Sequence, residues 1–229
     1  IASAASVHFT GGKPVLVECG ADHMVDPLAV EKAVTAKTKF LMPVHINGRT
    51  CRMDALQEIA NRHKLTIIED AAQGLGSKFK GKHAGTFGAA GMFSFYPAKV
   101  LGCFGDGGAL VTNDDAMAEK IFLLRDHGRN KEGIMVTWGL NSRLDNLQAA
   151  VLDAKLKHYD QAMTRRRQIA GFYQEGLGGL KTVTLPPAPN ADANHFDIYQ
   201  NYELEADGRD ELKKYLADHW IGTIIQWGG

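Results

Sequence analysis

The chain has 229 residues, and its 26 lysines and arginines are balanced by 26 aspartates and glutamates, so its formal net charge is zero. Hydrophobic residues make up 45% of the chain and charged residues 23%, which is typical of globular domains and excludes disorder as the dominant state. The balanced charge also argues against a nucleic-acid partner, because such partners usually require a basic protein face.

Apolar runs alternate with helical periods in the first third of the chain. This alternation predicts strands over residues 14–19, 39–46 and 65–70, and helices over 28–34 and 54–63. Strands separated by helices imply a parallel sheet that is covered by helices on both faces. Such sheets bind ligands beyond the carboxyl ends of their strands, where we expect Asp70 and His45.

The middle of the chain has shorter elements. We predict a hairpin over 78–85, strands over 91–95 and 109–112, and a helix to about Arg125 that is capped by Asp114 or Asp115. We also predict that Asn141 and Ser142 cap a long helix. Its apolar stripe would contain Leu144, Leu147, Val151 and Leu156.

A proline-rich break at 186–190 changes the pattern near the end of the chain. A strand over 195–204, a helix over 210–219 and a strand over 221–226 are predicted after it, as parts of a smaller α+β lobe. The basic run 165–167 lies inside a helical pattern and is interpreted as a solvated helix face.

The cysteines favour a cytoplasmic location. Cys19, Cys51 and Cys103 are widely spaced and odd in number, a pattern that indicates neither a disulfide framework nor a zinc site. No apolar stretch is long enough to cross a bilayer, and Ile1–Val7 lacks the basic flank of a signal peptide. We expect an ordered internal segment of a longer protein without a membrane partner.

Lys99 is the first candidate for chemistry, because the aromatic run 93–97 precedes it and would bury its stem. Burial disfavours the charged ammonium and lowers its pKa, which is the condition for an amine that forms a Schiff base. Ser94 could offer its hydroxyl to an anion near the same loop. Its alternative role is a hydrogen bond with its own backbone, which we favour for an isolated serine.

Asp70 is the second candidate, since a carboxylate at the edge of a buried strand needs a cation or several donors. It could cap the turn that follows at 71–73. Alternatively, it could face a protonated ring nitrogen. Asp70 and Lys99 could then hold the two ends of a flat heteroaromatic cofactor, whose pyridinium–carboxylate pair maintains the ring as an electron sink.

Other site types have little support in the sequence. The glycines at 74 and 76 lack the third glycine of a dinucleotide fingerprint, and no Walker, HExxH or GxSxG pattern occurs. A metal site, an oxidoreductase of the Rossmann type and a serine hydrolase are therefore disfavoured. His45 and His127 are interpreted as packing or cap residues.

Four blocks occur in an order that is characteristic of one enzyme family. They are Ile68-Glu69-Asp70-Ala71-Ala72-Gln73, Phe93-Ser94-Phe95-Tyr96-Pro97-Ala98-Lys99, Gly105-Asp106-Gly107-Gly108-Ala109 and Gly139-Leu140-Asn141-Ser142-Arg143-Leu144-Asp145. From Ile1 to Trp227, the chain resembles the DegT/DnrJ/EryC1/StrS sugar aminotransferases, which use pyridoxal 5'-phosphate. The resemblance implies an α/β fold of type I, with a large three-layer domain around a mostly parallel sheet and a smaller α+β domain. We expect these domains at 1–155 and 156–229, both incomplete.

The resemblance also implies a role for each matching site residue. Lys99 matches the lysine that bonds covalently to the cofactor and moves the proton, and Asp70 matches the partner of the pyridine nitrogen. Gln73 matches the amide beside the ring, and Ser94 matches a phosphate ligand. Asn141 matches a residue that reaches the phosphate in the other subunit, so a homodimer with shared active sites is implied.

By this resemblance, glutamate or glutamine donates an amino group to the cofactor, and a nucleotide-linked keto-sugar then accepts it in a ping-pong reaction. The alternatives are a non-catalytic or regulatory relative, or a sugar dehydratase. Dehydratases of this family carry histidine at the lysine position, so Lys99 favours the aminotransferase. The glycine-threonine phosphate loop and stacking aromatic of relatives would precede Ile1, and the small domain stops early.

Overall fold

A computed structural model describes residues 1–226. Its α-helices are α1 Ala2–Phe9, α2 Pro27–Ala33, α3 Met53–His63, α4 Asp115–Leu124, α5 Asn146–Leu156, α6 Tyr159–Leu177 and α7 Arg209–Asp218. Its strands are β1 Phe40–Leu41, β2 Thr66–Asp70, β3 Lys78–Phe79, β4 Lys82–His83, β5 Ala90–Ser94, β6 Gly108–Val111, β7 Val183–Thr184, β8 His195–Phe196 and β9 Glu205–Ala206. Within residues 1–226, no helix combines the length and the apolar character that a bilayer crossing requires.

The central sheet has the strand order β1-β2-β5-β6. β1, β2 and β5 run parallel, whereas β6 pairs antiparallel with β5, so the expected mostly parallel α/β sheet is confirmed. Asp70 at the end of β2 lies opposite Met92 of β5, and Ser94 ends β5 two residues later. Parallel strands place their carboxyl ends at one edge of a sheet, so Asp70 and Ser94 share that edge.

The main core lies between the sheet and helices α2 and α3. α3 buries Leu56, Ile59 and Ala60, as the sequence predicts, and they belong to one cluster with Ile67 of β2. Spacings of three and four residues place these side chains on the same helix face. The Asp26 side chain accepts a hydrogen bond from the Leu28 amide, which confirms the predicted start of α2.

Two more predicted elements are confirmed. β3 and β4 form the expected hairpin, with Lys80 and Gly81 both at positive φ in the turn. This left-handed pair matches the twist of adjacent antiparallel strands. Asp114, rather than Asp115, caps α4 by accepting a hydrogen bond from the Met117 amide.

The strand predicted at 14–19 is wrong. The segment forms only one isolated bridge, between Cys19 and Val25, and Val15 and Leu16 are 67% and 84% exposed. An apolar run becomes a strand only when a neighbouring strand accepts its hydrogen bonds, and residues 1–226 supply none here. The strand predicted over 39–46 is likewise shortened to β1, because Pro43 lacks the amide proton that a strand ladder uses.

The prediction that Asn141 and Ser142 cap a helix is also wrong. Helix α5 begins at Asn146, with Asp145 before it, while Asn141 forms a bridge with Asp126 and the Ser142 amide bonds to the Arg125 carbonyl. The predicted stripe is confirmed only in part: Leu144 packs against a buried cluster that includes Leu152, and Val151 is partly buried. Leu147 and Leu156 are exposed, and the buried residue of α5 is Leu152.

The C-terminal strands are shorter than predicted. The run 195–204 retains only β8, which pairs with β3, because Tyr199 adopts a left-handed backbone that no strand accommodates. Residues 221–226 form no strand, while the helix predicted at 210–219 is present as α7. The division into two domains after residue 155 stays a prediction. The last three residues of the second predicted domain, 227–229, lie outside the described part of the chain.

The basic run 165–167 is not merely a solvated face. Arg166 donates hydrogen bonds to the carbonyls of Tyr199 and Gln200, and Arg167 donates to the Asp197 carbonyl. Two of the three guanidinium groups therefore connect α6 to the segment that follows β8. A helical pattern alone cannot reveal this, because the partners are backbone atoms about thirty residues away.

Candidate active site

Asp70 is the last residue of β2 and is partly buried. Its Oδ1 accepts a hydrogen bond from the Ala72 amide at 3.1 Å, and its Oδ2 accepts one from the Ser3 hydroxyl at 2.7 Å. The first contact is the turn cap that we weighed as the alternative role. Each carboxylate oxygen keeps a second lone pair, so Asp70 can still accept from a further donor.

Lys99 lies in the loop that follows β5 and is partly buried. Its amide donates a hydrogen bond to the Tyr96 carbonyl at 2.9 Å, which closes a turn over 96–99. Burial lowers the pKa of the Lys99 amine, while the negative charge of Asp70 acts in the opposite direction. The loop that carries Lys99 follows β5, and β5 pairs with the end of β2 that carries Asp70.

Gln73 and Ser94 lie on the same side of the sheet as Asp70. The Gln73 Oε1 accepts a hydrogen bond of 2.6 Å from the Asn47 amide. Because a backbone amide can only donate, the end of the Gln73 side chain that faces it must be the oxygen, Oε1. The two protons on Nε2 therefore remain available to another acceptor. The Ser94 Oγ accepts from the Tyr96 amide at 3.3 Å, which is the local backbone contact we had considered.

Asn141 lies apart from the other four predicted site residues. It is exposed, its Oδ1 accepts from Arg143, and it lines an open surface depression with residues 143–146. None of its hydrogen-bond partners or neighbours in that depression is Lys99, Asp70, Gln73 or Ser94. Within a single chain, the structure therefore brings together four of the five predicted residues.

Two residues at the site were missed by the sequence analysis. Ser3 lies on α1 and donates to Asp70, although the run 1–7 carries no pattern that indicates a site. Asn47 adopts a left-handed backbone (φ 55°) and orients Gln73. Its one sequence signal is the Asn47-Gly48 pair, which is typical of tight turns.

Glu69 and His45 form a buried pair beneath the site. Both side chains are fully buried, and His45 Nε2 lies 2.8 Å from Glu69 Oε2. Burial alone would raise the pKa of Glu69, but the hydrogen bonds from His45 and from the amides of Gly88 and Gly85 hold it below the usual range. The packing role predicted for His45 agrees with this position.

A separate cavity opens beside Asn47. Its lining includes Arg49, Asp197 and Glu203, but none of Lys99, Asp70, Gln73 or Ser94. Arg49 fills part of this region by pairing with Asp197 at 2.5 Å and with Asp22 at 3.3 Å. The site at the sheet edge and this cavity are thus neighbours that share the Asn47 segment and Tyr199.

The family model described as the DegT/DnrJ/EryC1/StrS aminotransferase family matches residues 1–227 of the chain. The chain belongs to this family. The match confirms the resemblance carried by the four sequence blocks, and it covers all the predicted site residues.

Relatives in this family agree over nearly the whole chain. The dTDP-3-amino-3,4,6-trideoxy-alpha-D-glucose transaminase of Streptomyces venezuelae is 44% identical over 99% of the chain. The erythromycin biosynthesis sensory transduction protein EryC1 of Saccharopolyspora erythraea is 42% identical over 99% of the chain. The chain spans only 59% and 62% of these two relatives.

A solved structure of the same family has the same fold. The S. venezuelae DesV structure, described as a complex with a ketimine intermediate, superimposes with a TM-score of 0.90 at 44% identity. The superposition covers 96% of this chain and 58% of that one. The predicted fold class of the DegT/DnrJ/EryC1/StrS family is therefore confirmed.

Proposed function

We propose that the protein containing this chain is a pyridoxal-phosphate-dependent aminotransferase. It transfers an amino group from glutamate or glutamine to a nucleotide-linked keto-sugar. The observation that carries the proposal is the placement of a partly buried amine, Lys99, in the loop after β5, at the sheet edge where β2 ends in the carboxylate Asp70.

The side chains at this edge fit the cofactor in their chemistry. A pyridine ring that is to stay protonated needs a carboxylate, an aldehyde needs an amine, and a phosphate needs hydroxyl or amide donors. Asp70, Lys99 and Ser94 offer these groups, and Gln73 adds an amide whose Nε2 donates to no group within residues 1–226. When bound, pyridoxal phosphate supplies an aldehyde that takes up amino groups and a ring that accepts electrons.

The chain's own residues then have distinct tasks. Asp70 holds a proton on the ring nitrogen, because its negative charge favours the protonated form. The lowered pKa of Lys99 favours the unprotonated amine, which would hold the cofactor through its aldehyde with loss of water. As a free amine, Lys99 would move the proton between the substrate carbon and the cofactor carbon. Gln73 orients the ring from beside it, and the hydrogen bond from the Asn47 amide holds the Gln73 side chain in place.

The substrate class follows from the relatives. The Streptomyces venezuelae relative is named as a transaminase of a dTDP-linked amino sugar. Another relative, from Pseudomonas aeruginosa, is named as a UDP-2-acetamido-2-deoxy-3-oxo-D-glucuronate aminotransferase. Both names support a nucleotide-linked sugar as the acceptor for this protein.

A regulatory role is the second candidate, because one relative is named as a sensory transduction protein. Such a protein would bind the cofactor without turnover. Lys99, Asp70 and Gln73 together favour the enzyme, and Lys99 disfavours the dehydratase, in which histidine replaces the lysine.

We also propose a homodimer with shared active sites in the cytoplasm. The extended segment 134–140 exposes Ile134, Met135, Val136, Trp138 and Leu140. A cluster of exposed apolar side chains in one segment favours a protein partner, and Asn141 follows this segment directly. All three cysteines are free thiols, which is typical of a reducing compartment.

The test is amino-group exchange in the purified protein. We expect bound pyridoxal phosphate to give visible absorbance that glutamate bleaches and a nucleotide keto-sugar restores. Lys99→Ala should lose the absorbance and the exchange, whereas Lys120→Ala, at an exposed position on α4, should keep both. A Lys99→Ala variant that still exchanges amino groups would refute the aminotransferase. Absorbance that glutamate leaves unchanged would favour the regulatory role.

A further inference from the structure

The side chain of Gln200 bridges the two peptide groups that flank Lys99. Its Nε2 donates to the Ala98 carbonyl at 2.9 Å, and its Oε1 accepts from the Val100 amide at 2.9 Å. The carbonyl can only accept and the amide can only donate, so the amide of Gln200 fits in one orientation. With the Lys99 amide bound to Tyr96, the backbone is held on both sides of the lysine.

Gln200 is itself held firmly in place. It is only 8% exposed, and its carbonyl accepts a hydrogen bond from Arg166 of α6 at 3.1 Å. The preceding residue, Tyr199, has a left-handed backbone (φ 51°) and donates its hydroxyl proton to the Pro187 carbonyl at 2.7 Å. Side chains other than glycine rarely adopt this conformation, so the surrounding contacts must impose it.

The segment 198–200 also packs closely against the turn that carries Asn47. The Ile198 amide donates to the Gly48 carbonyl at 2.9 Å. A Cβ placed on Gly48 would lie 2.7 Å from the Gln200 nitrogen, so only glycine permits this approach. Gln200 thus joins α6, the Gly48 turn and the Lys99 loop, which lie far apart in the sequence.

We propose that Gln200 is a positioning residue for the Lys99 amine, which it fixes by bridging Ala98 and Val100. The role rests on the proposed function, in which Lys99 is the reacting amine. A lysine side chain has four rotatable bonds, so its reach toward a cofactor depends on where its Cα is held. Gln200 touches neither substrate nor cofactor and acts through the backbone of Lys99.

The experiment measures the Lys99 amine directly in the full protein without added cofactor. Trace acetylation across a pH series, read by mass spectrometry, gives the pH at which Lys99 reactivity is half-maximal. In Gln200→Leu, we expect this midpoint to rise by about half a pH unit or more, because a loosened loop hydrates the amine. Hydrogen exchange of the Val100 amide should accelerate about tenfold or more, because its acceptor is lost.

Gln57→Leu is the matched control. Gln57 also donates from its side-chain amide to a backbone carbonyl, that of Phe87, but on helix α3 away from the Lys99 loop. We expect the control to leave the Lys99 midpoint and the Val100 exchange at their wild-type values. After cofactor addition, pyridoxal phosphate capture should slow about tenfold or more in Gln200→Leu alone.

Gln200→Glu provides a second variant of equal length. A protonated carboxyl has one donor and one acceptor, so at acid pH it can replace both hydrogen bonds of the amide, whereas the ionised form can only accept. The ionised carboxylate could still accept from the Val100 amide, but its second oxygen would face and repel the Ala98 carbonyl oxygen. Ionisation should therefore push the side chain out of the bridge, so that Val100 protection relative to wild type is retained at acid pH and falls as the carboxyl ionises. This variant decides the matter if Gln200→Leu fails to fold.

An unchanged Lys99 midpoint in folded Gln200→Leu would overturn the positioning role. In Gln200→Glu, Val100 protection that does not depend on pH would do the same.

These readouts do not require transamination. If wild-type protein captures no pyridoxal phosphate but the midpoint still rises in Gln200→Leu, the proposed function fails and the positioning role stands. If capture and exchange proceed normally in wild type and in Gln200→Leu, the positioning role fails and the proposed function stands.

Discussion

At the scale of single residues, Glu69 and Asp70 are two carboxylates that are adjacent in the sequence but have different roles at the site. Successive residues of a strand point to opposite faces, so Glu69 enters the core while Asp70 ends the strand at the sheet edge. Glu69 is fully buried and completely hydrogen-bonded, whereas Asp70 is partly exposed and has capacity to spare. One stabilises the fold, and the other is available for chemistry.

We predict that Asp70→Asn retains bound cofactor but slows the amino-donor half-reaction about 100-fold, because the ring nitrogen loses its fixed negative partner. Stopped-flow absorbance with glutamate measures this rate. Asp153→Asn, in an exposed ion pair on α5, is the control and should match wild type. A wild-type rate in Asp70→Asn would contradict the role of Asp70.

We predict that Glu69→Gln lowers the free energy of unfolding by about 3 kcal/mol, because the N–H donors of the new amide would face the buried donors of His45 and Gly85 that the carboxylate accepts from. The pKa of Glu69 is lower in the folded state, so its stabilisation is complete above the unfolded-state pKa and disappears as the pH falls through the folded-state pKa. The difference between wild type and variant should therefore shrink in acid.

Urea unfolding at neutral and acid pH measures both parts of this prediction. Glu58→Gln is the control, since Glu58 forms an exposed pair with Arg62 and should change stability by less than about 0.5 kcal/mol. Equal effects of the two variants would mean that the buried pair stabilises no more than a surface pair.

At the scale of elements, short loops rather than strands assemble the site. The turn at Asn47, the loop at Lys99 and the segment 198–200 meet beside the ends of β2 and β5. Side chains from other segments bind the backbone of each loop: Gln73 binds the Asn47 amide, Gln200 binds the Lys99 loop, and Arg166 of α6 binds the carbonyls of Tyr199 and Gln200. Such contacts between distant segments tolerate little change in volume.

Gly48→Ala should destabilise the protein by about 2 kcal/mol more than Gly81→Ala. Both glycines have positive φ, 88° and 78°, so both substitutions incur backbone strain. Only at Gly48 would the new Cβ collide with Ile198 and the backbone of Gln200, whereas nothing lies within 4 Å at Gly81. Thermal and urea unfolding compare the pair, and equal losses would show that the close packing adds nothing.

The elements also show what the sequence could predict. Local signals located α2, α3 and the hairpin, because their caps, periodicity and turn residues lie within the segments themselves. The family resemblance identified Lys99 and Asp70. Gln200 and Ser3 were not found, since their roles are hydrogen bonds across 100 and 67 residues. The strand at 14–19 failed for a similar reason, because pairing depends on neighbours that a local pattern does not contain.

At the scale of the whole molecule, one chain brings together four of the five predicted site residues and leaves Asn141 on the surface beside an exposed apolar segment. Trp138 in that segment is 95% exposed. A second copy that covers this segment could bring its own Asn141 to the site of the first chain. This arrangement would account for both the exposed surface and the distant asparagine.

We predict complementation between Lys99→Ala and Asn141→Asp. Each variant alone should be inactive at limiting cofactor, the second because a carboxylate repels the phosphate. Random mixing should restore about a quarter of wild-type activity, because half of the dimers are mixed and each holds one intact site. Mixed dimers purified with two affinity tags should show about half of wild-type activity, since one of their two sites is intact. A mixture as inactive as its parents would argue against shared sites.

The proposed aminotransferase requires a covalent bond between the Lys99 amine and the cofactor aldehyde. Borohydride reduction of the protein with bound pyridoxal phosphate makes such a bond permanent, and peptide mass spectrometry identifies the residue that carries it. We predict that the phosphopyridoxyl group is found on Lys99 and is absent from that peptide after Lys99→Ala. A label on another lysine, or no label in protein that has bound the cofactor, would contradict the account.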